Sequence, residues 1–224
     1  MTYAVALTAS VLAHAIADPI ADPIQILQPW FNQQTNVVAW SADFIQIRTL
    51  PTFNRPLQEP GHVDYKSPGY FRWVIGSPPR TIVLGQPSEM TVAYPFLNQV
   101  EHYPLGPATP RQWRDMISLM QAGMPRNQKD FLSQFKILSL TDSNQNWIVQ
   151  MQPVHPEARQ MIPHLDITLN TRNFLLVSTR LVFADGTTME SRYTNQTLNP
   201  TLPDSMFNWK SESRAGKPQA ETPP

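Results

Sequence analysis

The stretch from Trp40 to Tyr103, WSADFIQIRTLPTFNRPLQEPGHVDYKSPGYFRWVIGSPPRTIVLGQPSEMTVAYPFLNQVEHY, decides the fold. At its start Trp40, Ala42 and Phe44 alternate with polar residues, and this period of two is typical of a β-strand. Short apolar segments then alternate with turn dipeptides rich in proline and glycine. Because the intervening loops are too short for crossover helices, the strands should form an antiparallel meander. After the strand at Trp40 we predict strands over His62–Lys66, Phe71–Ile75, Thr81–Leu84, Met90–Tyr94 and Gln99–Tyr103.

Helical patterns lie on both sides of this stretch. Asp22 and Pro23 resemble a helix N-terminus, and apolar residues at helical spacing follow them. Thr109-Pro110 predicts a second start, and Gly123 ends that run. One stripe of the second helix carries Trp113, Met116, Ile117 and Met120.

The rest of the chain returns to strands. Asp185-Gly186 is a favoured tight-turn dipeptide and joins the last two of them. The total is about eleven strands and a few short helices, which is an α+β fold that is mainly β. The later strands are predicted over Phe135–Leu140, Trp147–Gln152, Leu165–Leu169, Phe174–Ala184 and Thr187–Gln196.

A single sheet of this size curls or closes because the twist of its strands accumulates. The helices are too few to cover both faces, so we expect them to cover one concave side as a lid over a hydrophobic container. The alternative is a solid core, since apolar residues on both faces of a strand also arise from ordinary packing. We predict that seven residues in shared phase face the cavity or its lid: Trp40, Phe44, Phe71, Trp73, Ile82, Leu84 and Tyr94.

Composition excludes several classes of protein. Lys+Arg and Asp+Glu number 17 each, so the chain has no net charge and lacks the basic surface that nucleic-acid binding requires. There is no cysteine, and no motif of a hydrolase, nucleotide-binding protein or metalloprotease is present. His62 with Asp64, and Glu101 with His102, could supply metal ligands from neighbouring strands, although isolated histidines on strands are more often surface or packing residues. We therefore expect a non-enzymatic binding protein that works without metal, nucleotide or other cofactor.

The two ends differ in composition from the centre. Residues 1–17 contain an apolar segment that ends in Ala15-Ile16-Ala17, which is typical of a signal peptide with cleavage near Ala17. An ordinary buried helix is the alternative for this segment. Residues 210–224 contain no large apolar side chain, and we expect a disordered tail there. Residues 18–209 are then predicted to form one domain.

The sequence resembles the outer-membrane lipoprotein carrier protein family, LolA. The resemblance rests on WSADFIQIR, on GHVDYKSPGYFRW with its lysine, proline and F-x-W spacing, and on the segment from Pro78 to Leu105. The closing segment ADGTTMESRYTNQTLNP is also similar. At the family's arginine before proline, which takes part in opening and closing the lid, this chain has Ser67 preceded by Lys66.

The resemblance implies an unclosed antiparallel β half-barrel with a helical lid over a hydrophobic cavity. It implies a monomeric periplasmic carrier that receives acylated lipoproteins from an inner-membrane transporter and delivers them to an acceptor on the outer membrane. The alternative is a LolA-like sensor, or an accessory protein of glycolipid assembly, that binds lipid or lipoprotein without ferrying it, because one fold serves several functions.

Overall fold

The computed structural model describes residues 22–106, 109, 117, 119 and 122–209, and these residues form eleven strands and three α-helices. The helices are α1 Pro23–Gln34, α2 Gln128–Gln134 and α3 Pro156–Met161. Two 3₁₀ turns cover Pro95–Leu97 and Asp204–Phe207. The strands are β1 Ala39–Thr49, β2 Leu57–Lys66, β3 Tyr70–Ile75, β4 Thr81–Gln86, β5 Glu89–Tyr94, β6 Gln99–Pro104, β7 Phe135–Ser143, β8 Asn146–Pro153, β9 His164–Asn170, β10 Leu176–Val182 and β11 Thr188–Leu198.

All eleven strands belong to one antiparallel sheet in the order β6-β5-β4-β3-β2-β1-β11-β10-β9-β8-β7. The meander predicted from Trp40 to Tyr103 is therefore confirmed. The first and last strands of the chain pair at the centre, where Phe44 lies opposite Tyr193. The strands β6 and β7 are the two edges and do not pair with each other, so the predicted unclosed, mainly β architecture is also confirmed.

Large aromatic residues and glycines face each other across the concave side of the sheet. Phe44 lies opposite Gly61, and Phe71 lies opposite Gly85. A Cβ atom at either glycine would overlap the opposing phenylalanine ring. Glycine at these two positions lets each ring lie across the neighbouring strand, and this close packing fills the concave face.

The register of β4 corrects part of the sequence prediction. Val83, not Ile82 or Leu84, lies opposite Trp73 and packs on the concave face. Ile82 and Leu84 lie on the outer face, in a separate apolar cluster with Val74. The prediction that both share a face with Trp73 is therefore wrong. Every position from 82 to 84 is apolar, so the alternation that normally identifies the buried face of a strand is missing here.

The helix α1 begins as predicted and packs its apolar stripe into the core. The carboxylate of Asp22 accepts a hydrogen bond from the backbone N–H of Ile24 at 3.0 Å, and Pro23 occupies the first turn. Trp30 and Phe31 are completely buried and contact Phe131 of α2, with ring centroids 5.5 and 5.4 Å apart. None of the helices within the described residues is long and apolar enough to cross a membrane.

The segment that follows β11 crosses the outer face of the sheet. Phe207 is 0 % exposed and lies against Tyr70 of β3, with ring centroids 5.6 Å apart. Gln86 donates a hydrogen bond to the carbonyl oxygen of Phe207 at 2.8 Å. Trp209 then packs against the outer apolar cluster that contains Ile82 and Leu84. The C-terminal segment therefore covers apolar surface that the sheet would otherwise expose.

Candidate functional site

The concave face is mostly filled by the predicted aromatic residues themselves. Trp40, Phe44, Phe71 and Trp73 are buried in the main core, and Tyr94 packs against that core while half-buried. Trp40 contacts Tyr193 with ring centroids 5.2 Å apart. None of the seven predicted residues lies on the wall of the open cavity described next. For the five of them on the concave side, that they line a ligand-filled cavity stays a prediction.

A cavity of about 320 Å³ lies beside this core, and its wall combines apolar residues with the polar side chains of Tyr65, Arg126, Asp130 and Gln134. Its walls come from the β2–β3 turn, the β4–β5 turn, the segment that leads to α2, and α2 itself. This volume is at the lower end of the roughly 300–1,000 Å³ typical of ligand pockets. The lining residues are Tyr65, Pro68, Gly69, Pro87, Ile117, Ala122, Met124, Pro125, Arg126, Asp130, Phe131, Gln134 and Phe135.

Of the four predicted lid residues, Ile117 is on the cavity wall. Trp113, Met116 and Met120 lie outside the described residues. Leu119 is helical, like Ile117, and is buried in the core. Ile117 lines the cavity and packs against the core, and that the predicted stripe forms a cover stays a prediction.

Sequence reasoning missed the contribution of α2 to the site. Phe131 and Phe135 are four residues apart, lie 5.6 Å from each other by ring centroids, and both line the cavity. Phe135 is the first residue of β7 and its backbone is extended, so this pair spans the end of α2 and the start of β7, and helical spacing alone could not have identified both residues. Helix α2 has only seven residues, too few for its hydrophobic periodicity to show which side chains face the cavity.

The rim of the cavity carries an ion pair. Arg126 donates to Asp130 at 3.1 Å, and this hydrogen bond raises the pKa of Arg126. Tyr65 lies nearby on the same wall, and burial raises the pKa of its hydroxyl. At neutral pH the rim therefore carries the ion pair of Arg126 with Asp130 beside the neutral phenol of Tyr65. The rest of the cavity wall is mainly apolar.

Lys66 does not replace the family's lid arginine at the cavity. Its ammonium donates to the carbonyl oxygen of Leu202 at 3.0 Å and to the carboxylate of Asp204 at 2.6 Å. These contacts hold the C-terminal segment to the sheet. The next residue, Ser67, donates its backbone N–H to Val38 at 2.9 Å. In the described part of the chain, Lys66 therefore binds the C-terminal segment and does not line the cavity.

A polar cluster on the outer face brings Ser41, Asp43, His62 and Asp64 together. The Nδ1 atom of His62 lies 2.7 Å from a carboxylate oxygen of Asp43, and its Nε2 atom lies 3.2 Å from the hydroxyl of Ser41. These distances match a nucleophile, a base and an orienting acid. Antiparallel pairing of β1 with β2 places Asp43 opposite His62 and Ser41 opposite Asp64. Sequence reasoning missed the cluster because it did not establish this register.

The chemistry of this cluster does not support catalysis. Ser41 donates its hydroxyl to Asp64 at 2.8 Å, and Nε2 of His62 also lies 3.2 Å from Asp64. Hydrogen bonds to Asp64 and then to Asp43 raise the pKa of His62, although burial opposes them. Both carboxylates thus favour the protonated form of His62, and a protonated imidazole cannot take the serine proton. Within the described residues no group of three or more His, Asp or Glu side chains could hold a metal ion, and the expectation of metal-free function stays a prediction.

The cluster predicts a pH-dependent contribution to stability. Since the folded pKa of His62 lies above its ordinary 6.5, its contribution is fully present below that value and is lost as pH rises through the folded pKa. The lowered pKa values of Asp43 and Asp64 make their contribution disappear as pH falls below about 4. We expect His62→Gln to cost about 1 kcal/mol near pH 5, a modest value because His62 is half-exposed.

Urea unfolding of both proteins between pH 4 and pH 9 would measure this difference. The gap between wild type and His62→Gln should narrow steadily above neutral pH. The matched control is His155→Gln, at an exposed histidine that makes no capping hydrogen bond to α3. A gap that stays constant with pH, or that widens at alkaline pH, contradicts the assignment.

The geometry defines a class of protein: an unclosed antiparallel sheet with a packed concave face and a partly apolar cavity beside its helices. Concave, mostly apolar sites of this kind bind small or chain-like ligands. The chain belongs to the LolA family, described as outer membrane lipoprotein carrier protein LolA, whose profile matches residues 35–210. Proteins of this family are lipid- or lipoprotein-binding carriers of the cell envelope and not enzymes.

Solved structures of similar topology have little sequence identity to this chain. A DUF1329 family protein from Desulfovibrio piger is 10% identical, with 84% of this chain and 96% of that chain covered and a TM-score of 0.48. A LolA superfamily protein from Nitrosomonas europaea is 10% identical, with 81% and 96% covered and a TM-score of 0.41. The Mycobacterium tuberculosis lipoprotein LppX is 10% identical, with 81% and 99% covered and a TM-score of 0.41. A search of curated proteins finds no match to the sequence.

Proposed function

We propose that this protein is a periplasmic carrier that shields the acyl chains of lipoproteins and transfers them from the inner to the outer membrane. The observation that supports the proposal most directly is the partly apolar cavity between the sheet, α2 and the segment that contains Ile117. Family membership supports the same conclusion. An inner-membrane transporter would load the protein, and an outer-membrane acceptor would receive the cargo.

The physical need for such a carrier follows from the cost of exposing lipid to water. Each methylene of an acyl chain costs roughly 0.8 kcal/mol to expose, and a lipoprotein carries dozens of them. A carrier must also release its cargo, so it should contact the chains through adaptable side chains rather than through tight complementarity. Met124 and Ile117 on the cavity wall are suited to this purpose, because methionine in particular adapts its shape to its neighbours.

The cavity must enlarge to hold a whole lipoprotein anchor. At about 320 Å³ it holds only part of one acyl chain, so binding requires displacement of packed side chains. We propose that the segment from Arg111 to Ala122 is the cover that moves. A ligand drives this change only if it binds the open form more tightly than the closed form.

Lipid transfer between vesicles tests the proposal. Donor vesicles carry a fluorescent triacylated lipopeptide with a quencher, and acceptor vesicles carry neither. We expect the protein to bind the lipopeptide saturably and to accelerate its transfer in proportion to protein concentration, without metal or nucleotide.

Two outcomes contradict the carrier proposal in different ways. If the protein does not bind the lipopeptide, the cavity is not a lipoprotein site. If it binds the lipopeptide but leaves the transfer rate unchanged, it is a lipid-binding sensor or accessory protein instead. Heat-unfolded protein at the same concentration is the control for transfer through non-specific contact with vesicles.

A further inference from the structure

A second open space lies on the other side of α2. It is a groove of about 460 Å³ between the start of α1, the start of β7 and the residue that follows β8. Ile24, Leu132, Ile137 and Val154 supply most of its apolar wall. Asp22 and Lys136 add one charge of each sign. The backbone N–H of Val154 donates to the carbonyl oxygen of the last residue of α2 at 2.8 Å, so this wall is fixed to that helix.

The cavity and the groove share one lining residue, Phe135. Phe131 and Gln134 of α2 face the cavity, whereas Leu132 faces the groove. The helix therefore separates the two spaces. Phe135 contacts Phe131, which contacts Trp30 and Phe31 of α1. We call these four buried rings, Trp30, Phe31, Phe131 and Phe135, the aromatic partition.

The aromatic partition contains an unsatisfied polar group. The indole N–H of Trp30 is completely buried and has no acceptor among the described residues. Buried donors without a partner are rare in folded proteins because they lose hydration without compensation. In the part of the chain that the structure describes, no hydrogen bond of the Trp30 indole therefore holds the partition in its present arrangement, and the rings can shift without breaking one there. This observation is independent of the cavity volumes.

Chain length supplies the remaining argument. At roughly 30 Å³ for a group of water size, the cavity holds about ten methylenes, fewer than a 16-carbon chain contains. We propose that a long alkyl chain occupies the cavity and the groove in series and crosses the aromatic partition at Phe135. This inference rests on the proposed lipid-binding function. It adds the groove as a second ligand subsite and makes Phe135 the residue that determines which chain lengths reach it.

Photo-crosslinking with two fatty acids tests the path of the chain. Each acid carries a diazirine at its terminal carbon, and the chains have 8 and 16 carbons. We expect the short acid to label the cavity at Ile117 or Met124. The long acid should label the groove at Ile24, Ile137 or Val154. Mass spectrometry of the labelled peptides locates each crosslink.

Variants test the same inference through affinity. Val154 is 42% exposed, so Val154→Asp should fold and place a charge in the groove. We expect it to lower the ratio of 16-carbon to 8-carbon affinity at least fivefold. Leu138→Asp is the matched control, because Leu138 is 45% exposed and lies outside the groove. Phe135→Ala should raise the ratio, with urea unfolding as the check that it still folds.

The outcomes separate this inference from the proposed function. If both acids bind but label only the cavity, or if Val154→Asp leaves the affinity ratio unchanged, the groove is not part of the lipid site and the carrier proposal is unaffected. If neither acid binds the wild-type protein, the proposed lipid binding and this inference are both overturned.

Discussion

Replacement of Phe207 by alanine is expected to lower the free energy of unfolding by about 3–5 kcal/mol, the usual cost of deleting a fully buried phenylalanine. Phe207 is 0 % exposed and packs against Tyr70, and its carbonyl oxygen accepts a hydrogen bond from Gln86. It therefore anchors the C-terminal segment to the outer face of the sheet. Urea unfolding at neutral pH, followed by tryptophan fluorescence, measures the loss.

The matched control for this prediction is Leu97→Ala, since Leu97 is 70% exposed. It should change stability by less than about 0.5 kcal/mol, as surface substitutions usually do. Because Phe207 lies on the face opposite the cavity, folded Phe207→Ala protein should bind lipid as the wild type does. A stability loss below 1 kcal/mol would show that the segment is not anchored through this ring.

The meander was predictable because turn residues and strand periodicity agree from Trp40 to Tyr103. The register of β4 was not predictable, because its residues are apolar on both faces and periodicity cannot then choose the concave side. Pro60-Gly61 directly precedes the strand that we predicted from His62, yet it lies inside β2, which begins at Leu57. Pro60 lies beside Gly76, one residue past the end of β3, so its missing N–H removes no hydrogen bond within β3, and its carbonyl oxygen still accepts from the N–H of Gly76 at 2.7 Å. The rule that proline interrupts a strand therefore failed at Pro60, because its position relative to the neighbouring strand tolerates the missing N–H.

The sequence indicated what kind of site to expect, an apolar container, but not which residues would form its wall. The excess of apolar residues indicated a container, and Ile117, one of the predicted lid residues, lies on the cavity wall, while its role as a cover stays a prediction. The walls contributed by Tyr65 and Phe135 depend on how the β2–β3 turn and α2 approach each other across the curled sheet. Contacts between segments about 70 residues apart have no signature in a single sequence. The cluster of Ser41 with His62 was hidden for another reason, because it depends on the register of β1 against β2.

The largest change in ligand binding is expected from Ile117→Asp. Ile117 lies on the cavity wall, where a bound acyl chain must displace water from any charge placed there. If the aspartate keeps three or four methylenes from being buried, affinity falls by roughly 3 kcal/mol, which is about 100-fold. Titration with the fluorescent lipopeptide measures the affinity.

Two further variants determine whether the loss arises from charge in the cavity. Ile117→Leu keeps the apolar wall and should bind lipopeptide within about threefold of the wild type, since volume-conserving apolar replacements are well tolerated. Leu138→Asp places the same charge at an exposed position outside the cavity and should leave affinity unchanged. If Ile117→Asp and Leu138→Asp bind equally well, acyl chains do not contact Ile117, and the cavity beside α2 is not where the cargo is held. If only Ile117→Asp fails, the helical segment that contains Ile117 contacts the ligand directly, which is what the moving cover requires.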